Sequence, residues 1–173
     1  MQKKHSQILR EFVETIILTV VVFFFLVTFV VQGYRVYGSC MEPNLHTGER
    51  LLGNKFIYRL ERPIRGDIVV FRYPPDPTKV FIKRVIGLPG EMVEIHRGRV
   101  YVNERPLDER LYVKAAECED YPPHMVPKGH VFVLGDNRDE SNDSRFWGEL
   151  PVDNIQAKAW LRYWPINRLR VFR

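Results

Sequence analysis

Val80-Phe81-Ile82-Lys83-Arg84-Val85-Ile86-Gly87-Leu88-Pro89-Gly90 is the stretch from which the fold of this chain can be read. Val80, Ile82, Val85 and Ile86 are β-branched and Phe81 is aromatic, residue types that suit a pleated strand, and Leu-Pro-Gly ends the run in a turn. Side chains alternate along a strand, so Phe81, Lys83 and Val85 share one face while Val80, Ile82, Arg84 and Ile86 share the other. Each basic residue therefore has apolar neighbours on its own face. One outcome is a cation at a sheet edge that snorkels into water and discourages aggregation. The other is a lysine held out of water, and because burial disfavours the ammonium form, such a lysine is a candidate general base.

Outward from this stretch the same pattern recurs. Residues 50–52, 67–73, 79–86, 91–96, 99–102, 130–134 and 155–163 read as strands. Between them lie the turn signals Arg65-Gly66-Asp67, Pro74-Pro75-Asp76-Pro77, Arg97-Gly98 and Pro127-Lys128-Gly129. Residues 105–126 are polar and interrupted by proline, and read as a long excursion from an otherwise compact sheet system. No internal repeat or low-complexity tract is present.

The N-terminal region is different in kind. Residues 12–31 hold 16 apolar residues in 20, broken only by Glu14 and three Thr. A helix of that length rises about 30 Å, the thickness of a bilayer's hydrocarbon core, and this one is apolar on every side rather than striped. The reading is a single transmembrane helix over residues 12–32. Lys3, Lys4 and Arg10 precede it and only Arg35 follows closely, which places a flank of residues 1–11 in the cytoplasm and residues 33–173 outside. A cleaved secretory signal is the competing reading, but the run exceeds the usual ~7–15 apolar residues and Val31-Gln32-Gly33 is a poor cleavage site.

The chain has 173 residues, a net charge of +5 and two cysteines. The charge is local: +3 over residues 1–10, −2 over 11–32, 18 − 19 = −1 over 33–157, and +5 over 158–173. A nearly neutral centre argues against a nucleic-acid partner. The basic C-terminal segment is suited to anionic lipid headgroups or to plain solvation. Without a Cys-x-x-Cys pair, neither a zinc ribbon nor a disulfide-stapled miniprotein fits. A Cys40–Cys118 disulfide needs Cα atoms within ~7 Å and would consume the Cys40 thiol, so a free Cys118 is the simpler expectation. Cys40, Cys118, His46 and His124 lack metal-ligand spacing.

Two further segments stand out. Gly38-Ser39-Cys40-Met41-Glu42-Pro43-Asn44-Leu45 starts a few residues after the apolar run. Its plain reading is a turn with Cys40 and Met41 as core fillers. The segment at 135–148, Gly-Asp-Asn-Arg-Asp-Glu-Ser-Asn-Asp-Ser-Arg-Phe-Trp-Gly, is a dense polar loop after an apolar strand. Its carboxylates do not follow the Asp-x-Asp-x-Asp-Gly calcium ladder, so carboxylate–Arg and carboxylate–backbone hydrogen bonds within the loop are expected instead.

Taken together, the segments resemble the type I signal peptidases, membrane-anchored proteases that use a Ser/Lys dyad. Gly38, Met41, Pro43 and Leu45 match the nucleophile box Gly-x-Ser-Met-x-Pro-Thr-Leu, with Asn44 in place of Thr. Asp67-Ile68-Val69-Val70-Phe71 is similar to the next strand box. Residues 83–90 are similar to the lysine box, with Glu91 where Asp is usual, and residues 135–148 to the final box. The departure falls at the position that matters most, since Cys40 stands where the family has its nucleophilic serine.

The resemblance implies an extracytoplasmic, mainly antiparallel β-sheet domain behind one transmembrane helix, at the bacterial cytoplasmic membrane. It implies an endopeptidase that cuts preproteins after small-x-small residues at the membrane surface, without cofactor or metal. Its partners would be signal peptides and the bilayer, with secretion machinery possible. Cys40 and Lys83 would be catalytic, Ser141 would orient the lysine amine, and Asp143 with Arg145 would buttress the site. Gly38, Met41, Pro43, Ile82 and Val85 would surround oxyanion and substrate, with the backbone N–H of residue 40 as oxyanion donor. Gly38 has no hydroxyl to add. Ser39 is a poor substitute nucleophile if the segment is extended, since neighbouring side chains then point apart. The alternative function is that of an impaired or inactive Ser-to-Cys relative that binds preproteins or secretion partners.

Overall fold

The computed structural model describes residues 2–113 and 119–172, with side chains in the first helix described at 7–8, 10–25 and 28–29. The chain opens with helix α1 (Gln2–Phe29), 28 residues long, which at ~1.5 Å per residue extends about 42 Å. Phe12, Ile16, Phe23, Phe24, Phe25 and Phe29 on it are exposed, so the rest of the protein does not cover this apolar surface. Among the described residues no helix is long and apolar enough to cross a membrane; the longest unbroken run of described side chains in α1 is 10–25.

The helix ends earlier than the sequence reading placed it. Val31 and Gln32 begin strand β1 (Val31–Arg35), which pairs antiparallel with β2 (Arg50–Asn54) from Val31 opposite Asn54 to Arg35 opposite Arg50. The ladder supplies partners to backbone groups that a helix end would leave open.

A short helix α2 (Ile57–Leu60) leads to β3 (Ile68–Arg72) and β4 (Val80–Gly87). Four strands then form a small second sheet, β5 (Met92–His96), β6 (Arg99–Val102), β7 (Arg105–Pro106) and β8 (Tyr121–Met125), in the order β7-β6-β5-β8. The chain returns to the large sheet with β9 (His130–Leu134), helix α3 (Ser144–Trp147), β10 (Leu150–Pro151), the long β11 (Ile155–Trp164) and β12 (Arg170–Val171). The large sheet runs β1-β2-β11-β3-β4-β9-β10, with β12 attached to β11, and every pairing is antiparallel.

The centre of the large sheet is covered on both faces, which explains why β3 is a continuous Ile-Val-Val-Phe run rather than an alternating one. Ile68 packs with Val36, Met41, Leu45, Leu51 and Ala159 on one side. Val69 and Phe71 pack with Val85, Val131, Val133 and Leu150 on the other. A third cluster joins the two sheets, where Ile86, Phe132 and Leu134 meet Val93, Ile95, Val100, Val102 and Val126.

The expected strands are present with ends shifted by a few residues, and short strands appear that were not expected. β7 and β8 lie within residues 105–126, which is therefore partly sheet and not wholly an irregular excursion. Tyr121-Pro122-Pro123-His124-Met125 tolerates two prolines because β8 is an edge strand, where the missing N–H groups are not needed by a neighbour. Cys118, and with it any pairing to Cys40, lies outside the described residues.

Phe132 is fully buried where the two sheets meet, its ring 5.2 Å from that of Tyr121. Truncation to alanine is expected to cost about 3–5 kcal/mol in urea unfolding. A loss below about 1 kcal/mol would show that the small sheet does not depend on this contact.

Candidate active site

The segment between β1 and β2 carries Cys40. Gly38 sits at φ +86°, a backbone conformation that favours glycine, and turns the chain out of β1. Residues 40–44 form tight turns, closed by Glu42 N–H donating to Ser39 O at 3.0 Å and Leu45 N–H to Met41 O at 2.8 Å. Met41 and Leu45 are completely buried and anchor these turns in the core. Cys40 is left half-buried, its thiol donating weakly to Ile82 O at 3.8 Å. The segment is thus not extended, and Ser39 and Cys40 both line the same cleft. The alternation used to set Ser39 aside does not apply in a turn; what distinguishes Cys40 is its contact with β4.

β4 contributes Lys83. β9 pairs with β4 only at Arg84, Val85 and Gly87, so residues 80–83 have β3 on one side and no partner from β9 on the other. Lys83 is only 3 % exposed. Its Nζ lies 5.5 Å from the centroid of the Phe81 ring, and among the described residues no carboxylate pairs with it. The sequence left two outcomes for this lysine, and the buried one is observed.

The cleft holds about 630 Å³ and is lined by Ser39, Cys40, Ile82 and Lys83, by Tyr34 and Arg35 of β1, and by Glu140 and Asn142 of the polar loop, among others. Of the residues expected around substrate, Gly38 and Ile82 do line it. Met41 and Val85 do not: both are fully buried in opposite core clusters, where their apolar surface is worth more than at a wetted wall. Pro43 is also off the wall, its carbonyl accepting from Arg168 at 3.2 Å.

The polar loop satisfies itself only in part: Asp143 and Arg145 pair within it, while Asp136 and Arg138 find Arg84 and Glu109 in other segments. Asp143 is fully buried and takes Arg145 in a two-point pair, Nε to Oδ1 at 2.8 Å and Nη2 to Oδ2 at 3.0 Å. The same carboxylate accepts Gly135 N–H at 3.0 Å and caps α3, while Arg145 also donates to the carbonyls of Arg138 and Ser141. Ser141 is buried, and its hydroxyl has no hydrogen-bond partner among the described residues, Lys83 included. It packs over Gly135: a methyl group there would come within 2.2 Å of Ser141 Oγ and 2.6 Å of Cys40 O.

Several residues to which sequence reasoning gave no role hold these parts together. Arg84 clamps Asp136 with Nε–Oδ1 2.7 Å and Nη2–Oδ2 2.6 Å, and donates to Gly66 O at 2.9 Å. Asn44 Nδ2 donates to the same carboxylate at 2.9 Å and to Tyr112 O at 2.7 Å. The Tyr112 ring lies under the Arg84 guanidinium, 4.3 Å from it, and burial followed by the Glu109 carboxylate pushes its phenol well above the ordinary range. Asn137 donates its N–H to Cys40 O at 3.0 Å and its side-chain amide to Ser39 O at 3.2 Å. The available signal was adjacency: Arg84 follows Lys83, Asn44 lies four residues after Cys40, and Asp136-Asn137 opens the polar loop.

A half-buried thiol, a buried lysine that no carboxylate pairs with among the described residues, and two residues of the polar loop thus line one cleft. The chain belongs to the signal peptidase family, peptidase S26, whose family model matches residues 9–164. It is 41% identical over 175 residues to signal peptidase I of Leptolyngbya laminosa, covering 97% of this chain and 86% of that one. It is also 41% identical over 165 residues to probable signal peptidase I-2 of Synechocystis sp., covering 92% and 75%. A crystal structure of a signal peptidase I from Enterococcus faecalis aligns with TM-score 0.49 at 33% identity, over 57% of this chain and 97% of that one.

Gly135→Ala is expected to destabilise the protein by about 1–3 kcal/mol through overpacking. The added methyl also meets Ser141 Cβ at 2.5 Å and Cys40 O at 2.6 Å, which Ser141→Ala leaves in place, so the double variant Gly135→Ala/Ser141→Ala is expected to recover less than half of that loss in urea unfolding. Full recovery would show that the Ser141 hydroxyl alone carries the clash.

Proposed function

We propose that this chain is a membrane-anchored endopeptidase that removes N-terminal signal peptides from preproteins, with Cys40 as nucleophile and Lys83 as general base. The observation that carries the reading is the pairing, in one cleft, of a thiol held against β4 with a lysine buried beside no carboxylate.

The chemistry follows from these groups. Lys83 takes the thiol proton as Cys40 Sγ attacks the scissile carbonyl, and the oxyanion that forms is met by the backbone N–H of residue 40. The tetrahedral intermediate expels the new N-terminal amine, to which Lys83 returns the proton, and leaves a thioester. Lys83 then takes a proton from water as it attacks the thioester, and gives that proton to the departing thiolate. Sulfur makes the first half easier and burdens the second, because a thiolate beside an ammonium is a stable pair that leaves less neutral lysine for water. Ser141, Asp143 and Arg145 act through position: the ion pair holds the loop that presses Ser141 and Gly135 against Cys40.

Substrate backbone is expected to add as a strand along the open side of residues 80–83. Val36, Leu51, Val70 and Ile82 supply the apolar wall for small residues at the −1 and −3 positions, in place of the Met41 and Val85 wall expected earlier. The anchor in this proposal is α1, by its length, its exposed apolar side chains and its basic flank. β1 starts two residues after the helix ends, so the cleft is set close to where the span leaves the bilayer, with the N-terminus in the cytoplasm.

With detergent-solubilised protein and a preprotein whose signal peptide ends in Ala-x-Ala, the wild type is expected to cleave and Cys40→Ala and Lys83→Ala to lose at least about 10³-fold in rate. Alkylation by iodoacetamide should silence the wild type and spare Cys40→Ser. Equal silence of wild type and Cys40→Ala, with cleavage by Cys40→Ser, would make this chain the impaired relative instead. For the anchor, the full chain should remain in the membrane fraction after an alkaline carbonate wash, and a form lacking residues 1–30 should be released. Release of the full chain would rule out a span.

A further inference from the structure

Asn137 makes two contacts that bear on the oxyanion rather than on the nucleophile. Its side-chain amide donates to Ser39 O at 3.2 Å, and its backbone N–H donates to Cys40 O at 3.0 Å. The Ser39 carbonyl and the Cys40 N–H belong to one peptide unit, and in a trans peptide they point in opposite directions. Holding the Ser39 oxygen therefore aims the Cys40 N–H. The next peptide, Cys40 to Met41, is held through the Cys40 oxygen, so Asn137 contacts both planes flanking the nucleophile. The Cys40 N–H itself has no partner among the described residues, while Ser39 O has two, Asn137 and the N–H of Glu42.

We propose that Asn137 is a positioning residue for the oxyanion donor: it orients the Ser39–Cys40 peptide so that the free N–H of Cys40 faces the developing negative charge. This rests on the peptidase reading above. Asn137 is itself held from behind, since the neighbouring Asp136 is locked by Arg84 and Asn44. With Gly38 offering no hydroxyl, the aim of this single N–H carries more of the oxyanion's stabilisation than it would beside a second donor.

The test uses the full-length protein in detergent, with Asn137→Ala and the near-isosteric Asn137→Asp, which keeps the side chain's size but puts an oxygen against Ser39 O. Three quantities separate the roles. The first is kcat and KM on the Ala-x-Ala preprotein. The second is the inhibition constant of a peptide aldehyde ending in Ala, to which Cys40 Sγ adds with its proton passing to Lys83, leaving an oxyanion. The third is the rate of Cys40 alkylation by iodoacetamide, a displacement that forms no oxyanion.

Both variants are expected to lower kcat by ~10–100-fold, less than the ~10²–10³-fold of losing a donor outright, with KM within about twofold. Aldehyde affinity should fall by a similar factor while alkylation stays within about twofold of wild type. Unchanged kcat and aldehyde affinity would overturn the proposal. So would a parallel fall in all three, which would mean that Asn137 merely keeps the turn folded. If the wild type is silent and Cys40→Ser cleaves, turnover and aldehyde binding are compared in the serine enzyme and alkylation in the cysteine one. If neither cleaves, the peptidase reading falls and takes this one with it.

Discussion

The buried pair between Arg84 and Asp136 is the contact on which the site is assembled. Arg84 stands next to Lys83 on β4, Asp136 begins the loop after β9, and the carboxylate also receives Asn44 from the nucleophile segment. The Arg84 guanidinium further reaches Gly66 and lies over Tyr112. Five separate segments of the chain thus meet at one charge pair. Such a pair adds little net stability compared with apolar packing, but removing one partner leaves an uncompensated buried charge, costing about 3–5 kcal/mol. That asymmetry makes it a device for specifying one arrangement. A slip of β4 by one residue would turn Arg84 to the opposite face of the sheet and leave the Asp136 carboxylate without its guanidinium.

Around that pair the site is divided into a rigid part and a reactive part. Asp143 with Arg145, Glu49 with Arg162, and Asp67 with Lys158 are all committed inside the protein. Lys83 is the exception, a buried cation with no anion beside it among the described residues. In a structure that pairs its other buried charges so thoroughly, an unpaired lysine lining the same cleft as a thiol is a local violation of the packing rules. Such violations are where function is expected. In the proposed mechanism sulfur at position 40 alters the balance of the two chemical steps and not this scaffold, because the turn is held by Met41, Leu45 and Asn137.

Much of the architecture was legible in the sequence. Alternation around Lys83, the turn signals and the apolar N-terminal run identified the strands and the helix. What was misjudged has specific causes. β8 contains two prolines and looked irregular, but an edge strand does not need their missing N–H groups. The start of β1 was merged into the helix because Val30 and Val31 continue an apolar run up to Gln32, whereas the ladder with β2 claims Val31 and Gln32. Met41 and Val85 were assigned to the substrate wall because they lie near Cys40 and Lys83, but Met41 is one step further along a turn and enters the core, while Val85 shares the face of Lys83 at a point where β9 has joined β4 and covers it.

By itself the sequence determined the strand pattern, the apolar N-terminal run and the segments that resemble the family's boxes, among them a cysteine at the nucleophile position, a lysine flanked by apolar residues and a polar loop. Residue type and order along the chain are what a linear reading can detect. Only the tertiary structure decided that Ser39 and Cys40 both face the cleft, that Lys83 is buried rather than snorkelling, and that Asn137 and Asn44 hold the turn. These depend on hydrogen bonds between residues about 90 to 100 positions apart. No local pattern encodes such contacts, because which carbonyl an amide meets is settled only when sheets and turns have closed around a common core.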